Sequence, residues 1–258
     1  MWALLGYITL FLVSQALSAL VLCLFQVLNS VFPLFFSVSQ TTQLAFSLFM
    51  GGISVLFVMF LMHRLRVEDI RLYRLPIPYY IYVLLMMLPA IIVLNILSEQ
   101  LHLTDYVAEE VCGLMHHPLG IVTIVLLAPL TEEFIFRAGI QRVLLQRGVR
   151  SCWVILCSSF LFALVHANPA QMPVAMMMGV LFGWLYVRTG SIWPSVFAHV
   201  VNNGVGVLTA HIFTNPNVTI SQLLGDGVCL WTIFFVSMCL FGCVFYVFYS
   251  RSASVQNP

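Results

Sequence analysis

The stretch that decides the fold is LGIVTIVLLAPLTEEFIFRAGIQRVLLQR, residues 119–147. It is a strongly apolar run, yet it carries Glu132, Glu133 and Arg137 in its middle. Each ionised side chain inside a bilayer costs about 2.5 to 3.5 kcal/mol on insertion scales, so three together indicate a functional reason for keeping them. We interpret this stretch as part of an active site.

The whole chain has the composition of a membrane protein. Of its 258 residues, 62% are hydrophobic and only 7% are charged, and the mean hydropathy is +1.04. Residues 1–62 carry no charged side chain, which a water-soluble fold would not tolerate. The net charge of +1 gives no indication of a nucleic-acid partner, and the lipid bilayer is the expected surrounding.

The hydropathy pattern predicts an all-α fold, namely a polytopic membrane helical bundle of about eight transmembrane helices. One transmembrane domain would cover residues 1–258, with a disordered tail at 252–258. Ala175, Gly179 and Gly183 repeat a small residue every fourth position, which lets a neighbouring helix approach closely. The predicted spans are 3–28, 43–62, 79–98, 118–141, 152–167, 172–188, 192–212 and 228–249.

Charge asymmetry predicts the orientation of these spans. All ten basic residues are arginines, and nine of them fall in alternate loops or at the span ends that face those loops. The other loops contain Glu and Asp but no Arg. By the positive-inside rule, both termini are expected in the cytoplasm, and we expect an integral protein of a bacterial cytoplasmic membrane. The nine arginines are Arg64, Arg66, Arg71, Arg74, Arg142, Arg147, Arg150, Arg188 and Arg251.

The two glutamates of the opening stretch would point in different directions on a helix. Glu133 and Arg137 are four residues apart and can pair on one face, whereas Glu132 points about 100° away from Glu133. One carboxylate would then be neutralised and Glu132 left for chemistry. A buried ion pair with a purely structural role explains the same residues equally well.

Two further spans carry polar groups at helical spacing. Phe162 and His166 share a face at the end of the fifth span, and His199 and Asn203 share a face in the seventh, with Asn202 on another face. A histidine satisfied within the core, or polar contacts that hold two helices together, would account for these residues without catalysis.

Counting residues from the span ends predicts that these groups meet. Glu132 and His166 lie nearly equally far from the turn at residues 148–150. His199 lies on the order of 12 Å beyond Ser191, and Glu132 roughly 13 Å from Gln141, at the usual helical rise. We therefore expect one polar chamber inside the membrane, nearer the cytoplasmic face and open toward it.

Such a set of side chains fits a hydrolase that activates water. Desolvation raises the proton affinity of a carboxylate, so Glu132 can act as a general base with His166 sharing the water. His199 and Asn203 can supply two donors to the oxyanion that forms at a peptide carbonyl. The same residues could instead bind zinc through Glu132, His166 and His199, but the sequence contains no HExxH motif. We favour a mechanism without a metal or any other cofactor.

These residues resemble the CPBP family of CAAX proteases and bacteriocin-processing enzymes, also called the Abi family. Residues 132–137 match its EExxxR motif, residues 162–166 match FxxxH, and residues 199–203 match HxxxN, in the same order and on separate spans. The resemblance covers roughly residues 121–211, and it makes the four helices of 118–212 a catalytic core. Ala138 stands where the family commonly has Gly.

The resemblance implies an intramembrane endopeptidase that cleaves a membrane-associated peptide or protein. It assigns water activation to Glu132 and His166, and the oxyanion hole to His199 and Asn203. Glu133, Arg137 and Phe162 would support them. A proton- or solute-coupled transporter would also concentrate Glu, Arg and His in its spans. A silent membrane scaffold is a further alternative, and neither alternative predicts a cleaved product.

Overall fold

The computed structural model describes residues 2–32, 38–62, 75–213, 218–225 and 227–252, with side chains from Gly6 onward. All regular elements in these ranges are helices. Four of the loop arginines, Asp226 and residues 253–258 of the predicted tail lie outside them. Ser252, predicted as the first residue of the tail, instead ends the last helix and is buried.

Ten helices follow one another along the described ranges. We number them α1 (Trp2–Val31), α2 (Gln40–Leu61), α3 (Ile77–Glu99), α4 (Ala108–His116), α5 (Pro118–Gln146), α6 (Ser151–Leu164), α7 (Met172–Thr189), α8 (Trp193–Ile212), α9 (Ile220–Leu224) and α10 (Val228–Ser252).

The all-α, polytopic bundle predicted from the sequence is confirmed. Six helices, α1, α2, α3, α5, α7 and α10, are long and apolar enough to cross a membrane. The other two predicted spans differ from these six. α6 is apolar but has only 14 residues, because the chain leaves the helix at Leu164. α8 has 20 residues, but His199, Asn202 and Asn203 lower its hydropathy.

The antiparallel helices place their ends on two faces. The arginine face carries Arg147, Arg150, Arg188 and Arg251 at the ends of α5, α6, α7 and α10. Contacts hold this face together, since Arg188 donates to Ser252 Oγ at 2.8 Å. The acidic face, where α3 ends and α4 begins, carries Glu99, Asp105, Glu109 and Glu110.

α5 lies at the centre of the bundle and departs twice from α-helical geometry. Its segments Thr123–Leu127 and Phe134–Gln141 are π-helical. Pro129 explains the first segment, because proline has no N–H to donate to the preceding turn. The Ala128 N–H bonds to Thr123 O, five residues back, and the next carbonyl, Ile124 O, accepts from the Asn203 side chain at 2.8 Å.

The second π-helical segment is packed on every side. All eight of its residues are buried, and most of them form one apolar cluster with Tyr7 of α1, Val55 and Met59 of α2, and Phe162 of α6. The Tyr7 ring lies directly on Gly139, where a Cβ atom would not fit. This segment therefore fills the bundle between the middle of α5 and the arginine face.

Candidate active site

One cavity of about 840 Å³ brings the predicted polar residues together. Glu132, Phe162, His166, His199 and Asn203 all line it. The two remaining predicted residues, Glu133 and Arg137, lie behind its wall with no exposed surface. α5, α8 and the region at the end of α6 therefore contribute to one site.

Glu132 is the carboxylate that faces the cavity. Its side chain is 21% exposed, and its Oε2 lies 3.8 Å from His199 Nε2. That distance is too long for a direct hydrogen bond, and it suits two groups that share a water or a substrate atom. Among the described residues, Glu132 Oε2 has no hydrogen-bond partner.

Glu133 joins Arg137 to His199. Its Oε2 lies 3.1 Å from Arg137 Nε, and its Oε1 accepts from His199 Nδ1 at 3.0 Å. When Nδ1 carries the proton, His199 presents Nε2 toward Glu132. The adjacent glutamates thus differ in environment, because one is neutralised inside the protein and the other reaches the cavity.

Phe162 packs against Arg137 and both histidines of the site. Its ring is buried, and the Arg137 guanidinium lies 4.9 Å from the ring centroid. The same ring meets His166 at 4.9 Å and His199 at 5.7 Å, both edge to face. On its other side, His199 stacks on Phe182 of α7 at 4.9 Å, and this second aromatic wall was not predicted from the sequence.

His166 lies in a turn beyond the end of α6, where the sequence predicted a helix. Its Nδ1–H donates to Phe162 O at 2.8 Å, which places the ring over the last turn of the helix. A carbonyl can only accept, so the neutral ring keeps its lone pair at Nε2. His166 therefore offers an acceptor on the cavity side.

Two residues that the sequence analysis missed hold this turn. Ala167 has a left-handed backbone with φ of 49°, and Asn168 is 1% exposed. The Asn168 side chain donates to Asp105 Oδ1 at 2.8 Å and accepts from the Tyr106 backbone N–H at 3.4 Å. The pair Asn168-Pro169, which begins two residues after His166, is typical of a turn and was the available signal.

Asn203 lines the cavity but already has partners. It donates to Ile124 O at 2.8 Å and accepts from the Asn202 side chain at 3.1 Å. An amide has two donor hydrogens, so one N–H remains for a further acceptor. Asn202, which the sequence put on another face, also lines the cavity.

The preference for a metal-free site and the zinc alternative both stay predictions. Within the described ranges, no three His, Cys, Asp or Glu side chains are grouped so that they could hold a metal ion.

The prediction that the chamber opens toward the arginine face is wrong. The cavity lining extends from Glu132 to Ser98, Glu99, His102 and Asp105 on the acidic face. In the other direction, the buried segment Phe134–Gln141 closes it. Residue counts predicted depth along each helix, but they could not predict which end of the chamber the packing would fill.

Comparisons with known proteins confirm the family resemblance. Residues 114–205 match the family model described as type II CAAX prenyl endopeptidase, Rce1-like, and all seven predicted site residues lie within that range. No solved structure matches the chain.

Three curated proteins are similar to part of the chain. The membrane protein YdiL of Bacillus subtilis is 36% identical over 86 residues, which are 33% of this chain and 35% of YdiL. The membrane-embedded CAAX protease MroQ of Staphylococcus aureus is 33% identical over 96 residues, 35% of this chain and 39% of MroQ. CAAX prenyl protease 2 of Arabidopsis thaliana is 31% identical over 123 residues, 40% and 39% of the two chains. The chain thus spans 35 to 39% of the length of these relatives.

Proposed function

We propose that this integral membrane protein is an intramembrane endopeptidase that hydrolyses a peptide bond of a membrane-associated peptide or protein. The observation that carries the proposal is a partly exposed glutamate in a cavity of an apolar bundle, 3.8 Å from a histidine nitrogen. The similarity to proteins named CAAX proteases supports the same class of reaction. We expect it in a bacterial cytoplasmic membrane.

In the proposed mechanism, Glu132 takes a proton from a water that lies between it and His199. His166 orients that water by accepting its second hydrogen at Nε2. The water oxygen attacks the peptide carbonyl, and the C–N bond then breaks as Glu132 returns the proton to the leaving amine. One water is consumed, and an acid and an amine are released.

The oxyanion would be stabilised from α8. Asn203 has one N–H left after its bond to Ile124 O. His199 donates at Nε2 when it is an imidazolium, because Glu133 holds its Nδ1–H. Donors of this kind, fixed in place before the reaction, are the usual means of stabilising a tetrahedral intermediate. Arg137 and Phe162 act indirectly, by holding Glu133 and the two histidines.

The test compares Glu132→Gln with Glu110→Gln, the same change at an exposed carboxylate outside the cavity. Both are assayed in lipid nanodiscs against a peptide library fused to a single transmembrane helix. Glu132→Gln should lower the cleavage rate by about 10² to 10⁴, the range for a lost general base, while Glu110→Gln should cleave like the wild type.

Three outcomes would contradict parts of the proposal. A Glu132→Gln variant as active as the wild type would exclude Glu132 as the base. No cleavage by the wild type across the library would favour the transporter alternative. Cleavage that a chelator abolishes and zinc restores would assign a metal to the site.

A further inference from the structure

Two independent features of the chain fix the side from which the chamber is reached. The first is the distribution of charge. In the described residues, every arginine outside the buried site lies on or near the arginine face, whereas Glu99, Asp105, Glu109 and Glu110 lie on the acidic face. The four arginines between Leu61 and Leu75 in the sequence add to the same asymmetry. By the positive-inside rule, the arginine face is cytoplasmic.

The second feature is the shape of the cavity. Along α5 the lining continues from Glu132 to Ala128 and Ile124, about 12 Å of helix directed away from the arginine face. Along α8 it continues from His199 to Gly206 in the same direction. The loop after α3 and the residues before α9 form its outer wall, where His102, Leu103, Asp105, Val218 and Thr219 are lining residues.

The opposite end of the chamber is closed. Phe134–Gln141 fills the space below Glu133, and Phe136, Ile140 and Arg137 are each at most 2% exposed. Gln141 packs so closely on Gly183 of α7 that a Cβ atom there would collide with its amide nitrogen. No residue of the loop between α5 and α6, or of the loop between α7 and α8, lines the cavity.

We infer that the chamber is reached from the extracytoplasmic side, and that its substrates are membrane proteins or peptides whose scissile bond lies at the outer end of a membrane segment. The substrate class rests on the proposed function, whereas the side from which the chamber is reached does not. Segments that reach the membrane only from the cytoplasm would meet the closed end of the chamber, which Phe134–Gln141 fills.

The side of access can be measured without any cleavage assay. Leu103 lines the mouth and is 42% exposed, and Val149 in the loop between α5 and α6 is 37% exposed. Leu103→Cys and Val149→Cys are made in a full-length chain whose seven native cysteines are replaced by alanine. Each is treated with a membrane-impermeant maleimide, in intact spheroplasts of a bacterial host and after detergent lysis.

Leu103→Cys should react in intact spheroplasts to the same extent as after lysis, whereas Val149→Cys should react only after lysis. The reverse pattern, equal reaction of both in intact spheroplasts, or reaction of neither before lysis would overturn the inference. A second pair guards against a variant that fails to fold. Each variant of this pair restores one native cysteine in the cysteine-free chain, either Cys112 of α4, near the mouth, or Cys152 of α6, beside Arg150.

A cleavage assay then tests the substrate class. The peptide library is fused to either the outer or the inner end of the same transmembrane helix, and only the outer fusion should be cut. Maleimide on Leu103→Cys should abolish that cleavage relative to the unlabelled variant. Equal cleavage of both fusions would overturn the substrate class. If neither fusion is cut, the labelling result still decides the side, and the proposed function alone has failed.

Discussion

At the scale of single residues, the buried half of the site depends on Arg137. Its side chain has no exposed surface, lies 3.1 Å from Glu133, and donates to Gly179 O of α7 at 3.0 Å. A Cβ atom at Gly179 would lie 3.1 to 3.2 Å from Ser159 and Phe162, so the glycine lets α6 and α7 approach closely at this point. Removing both charges from water is costly, so the pair persists only while each partner is present.

Removing one charge of the Glu133–Arg137 pair should destabilise the protein more than removing both charges. Arg137→Met leaves Glu133 as an uncompensated buried charge, which costs about 3–5 kcal/mol. The double variant Glu133→Gln with Arg137→Met carries no net charge there, and its glutamine oxygen can still accept from His199 Nδ1. It should recover most of that free energy of unfolding, measured by denaturant titration in mixed micelles. A double variant as unstable as Arg137→Met would show that the pair does not act through charge.

The pairing of Glu133 with Arg137 could be predicted from the sequence, because two residues four apart on a helix meet whatever surrounds them. The bond from Glu133 to His199 could not, because it depends on how α5 and α8 pack. The same applies to Asn168 and Asp105, which are 63 residues apart and meet only in the folded chain. Local spacing predicts contacts between residues of one helix, whereas contacts between elements depend on tertiary packing.

At the scale of elements, α5 and α8 are joined by a hydrogen bond that replaces one missing from α5. Pro129 cannot donate to Ile124 O, and the Asn203 side chain donates instead. Asn203 is therefore needed for packing, whatever it does in catalysis. The packing role of Asn203 can be separated from a catalytic role, because replacing Pro129 restores a backbone donor within α5.

Asn203→Leu should leave Ile124 O without a partner and cost about 1–3 kcal/mol of stability. Adding Pro129→Ala supplies a backbone N–H within the same helix, so the double variant should regain part of that stability. If the second N–H of Asn203 binds the oxyanion, the cleavage rate should stay low in both variants. Thermal unfolding and cleavage are measured on the same preparations, with Pro129→Ala alone as the control. Cleavage that returns together with stability would reduce Asn203 to a packing residue.

The ends of the elements were harder to predict than their existence. The sequence extended the fifth span to residue 167, but α6 ends at Leu164, where a turn with a left-handed Ala167 begins. Apolar periodicity continues through Val165, so hydropathy alone does not register the turn. The bond from His166 to Phe162 O forms all the same, because the side chain reaches back over the last helical turn.

At the scale of the whole molecule, the site needs parts of the chain that lie beyond the segment matching the family. That segment ends at residue 205, yet Val218 and Thr219 line the chamber, and α9 begins directly after them. Glu99 of α3 fixes the start of α9, since it accepts from the backbone N–H groups of Ile220 and Ser221 at 2.6 and 3.0 Å. The family match therefore includes the predicted catalytic residues but not all the residues that line the chamber.

A chain that ends at Phe213 tests how far the site depends on these outer parts. Without α9 and α10, Glu99 loses its two backbone donors, and Arg188 loses its bonds to Ser252 and to Tyr249 O. Residues 1–213 alone should therefore cleave poorly, although they contain every predicted catalytic residue. Coexpressing residues 218–258 as a separate piece should restore cleavage, because membrane helices can associate after they insert. Glu99→Ala should weaken that association, as measured by copurification of the two pieces. Residues 1–213 cleaving at the full-length rate would contradict the dependence, and would mean that the matched segment and the helices before it form a complete site.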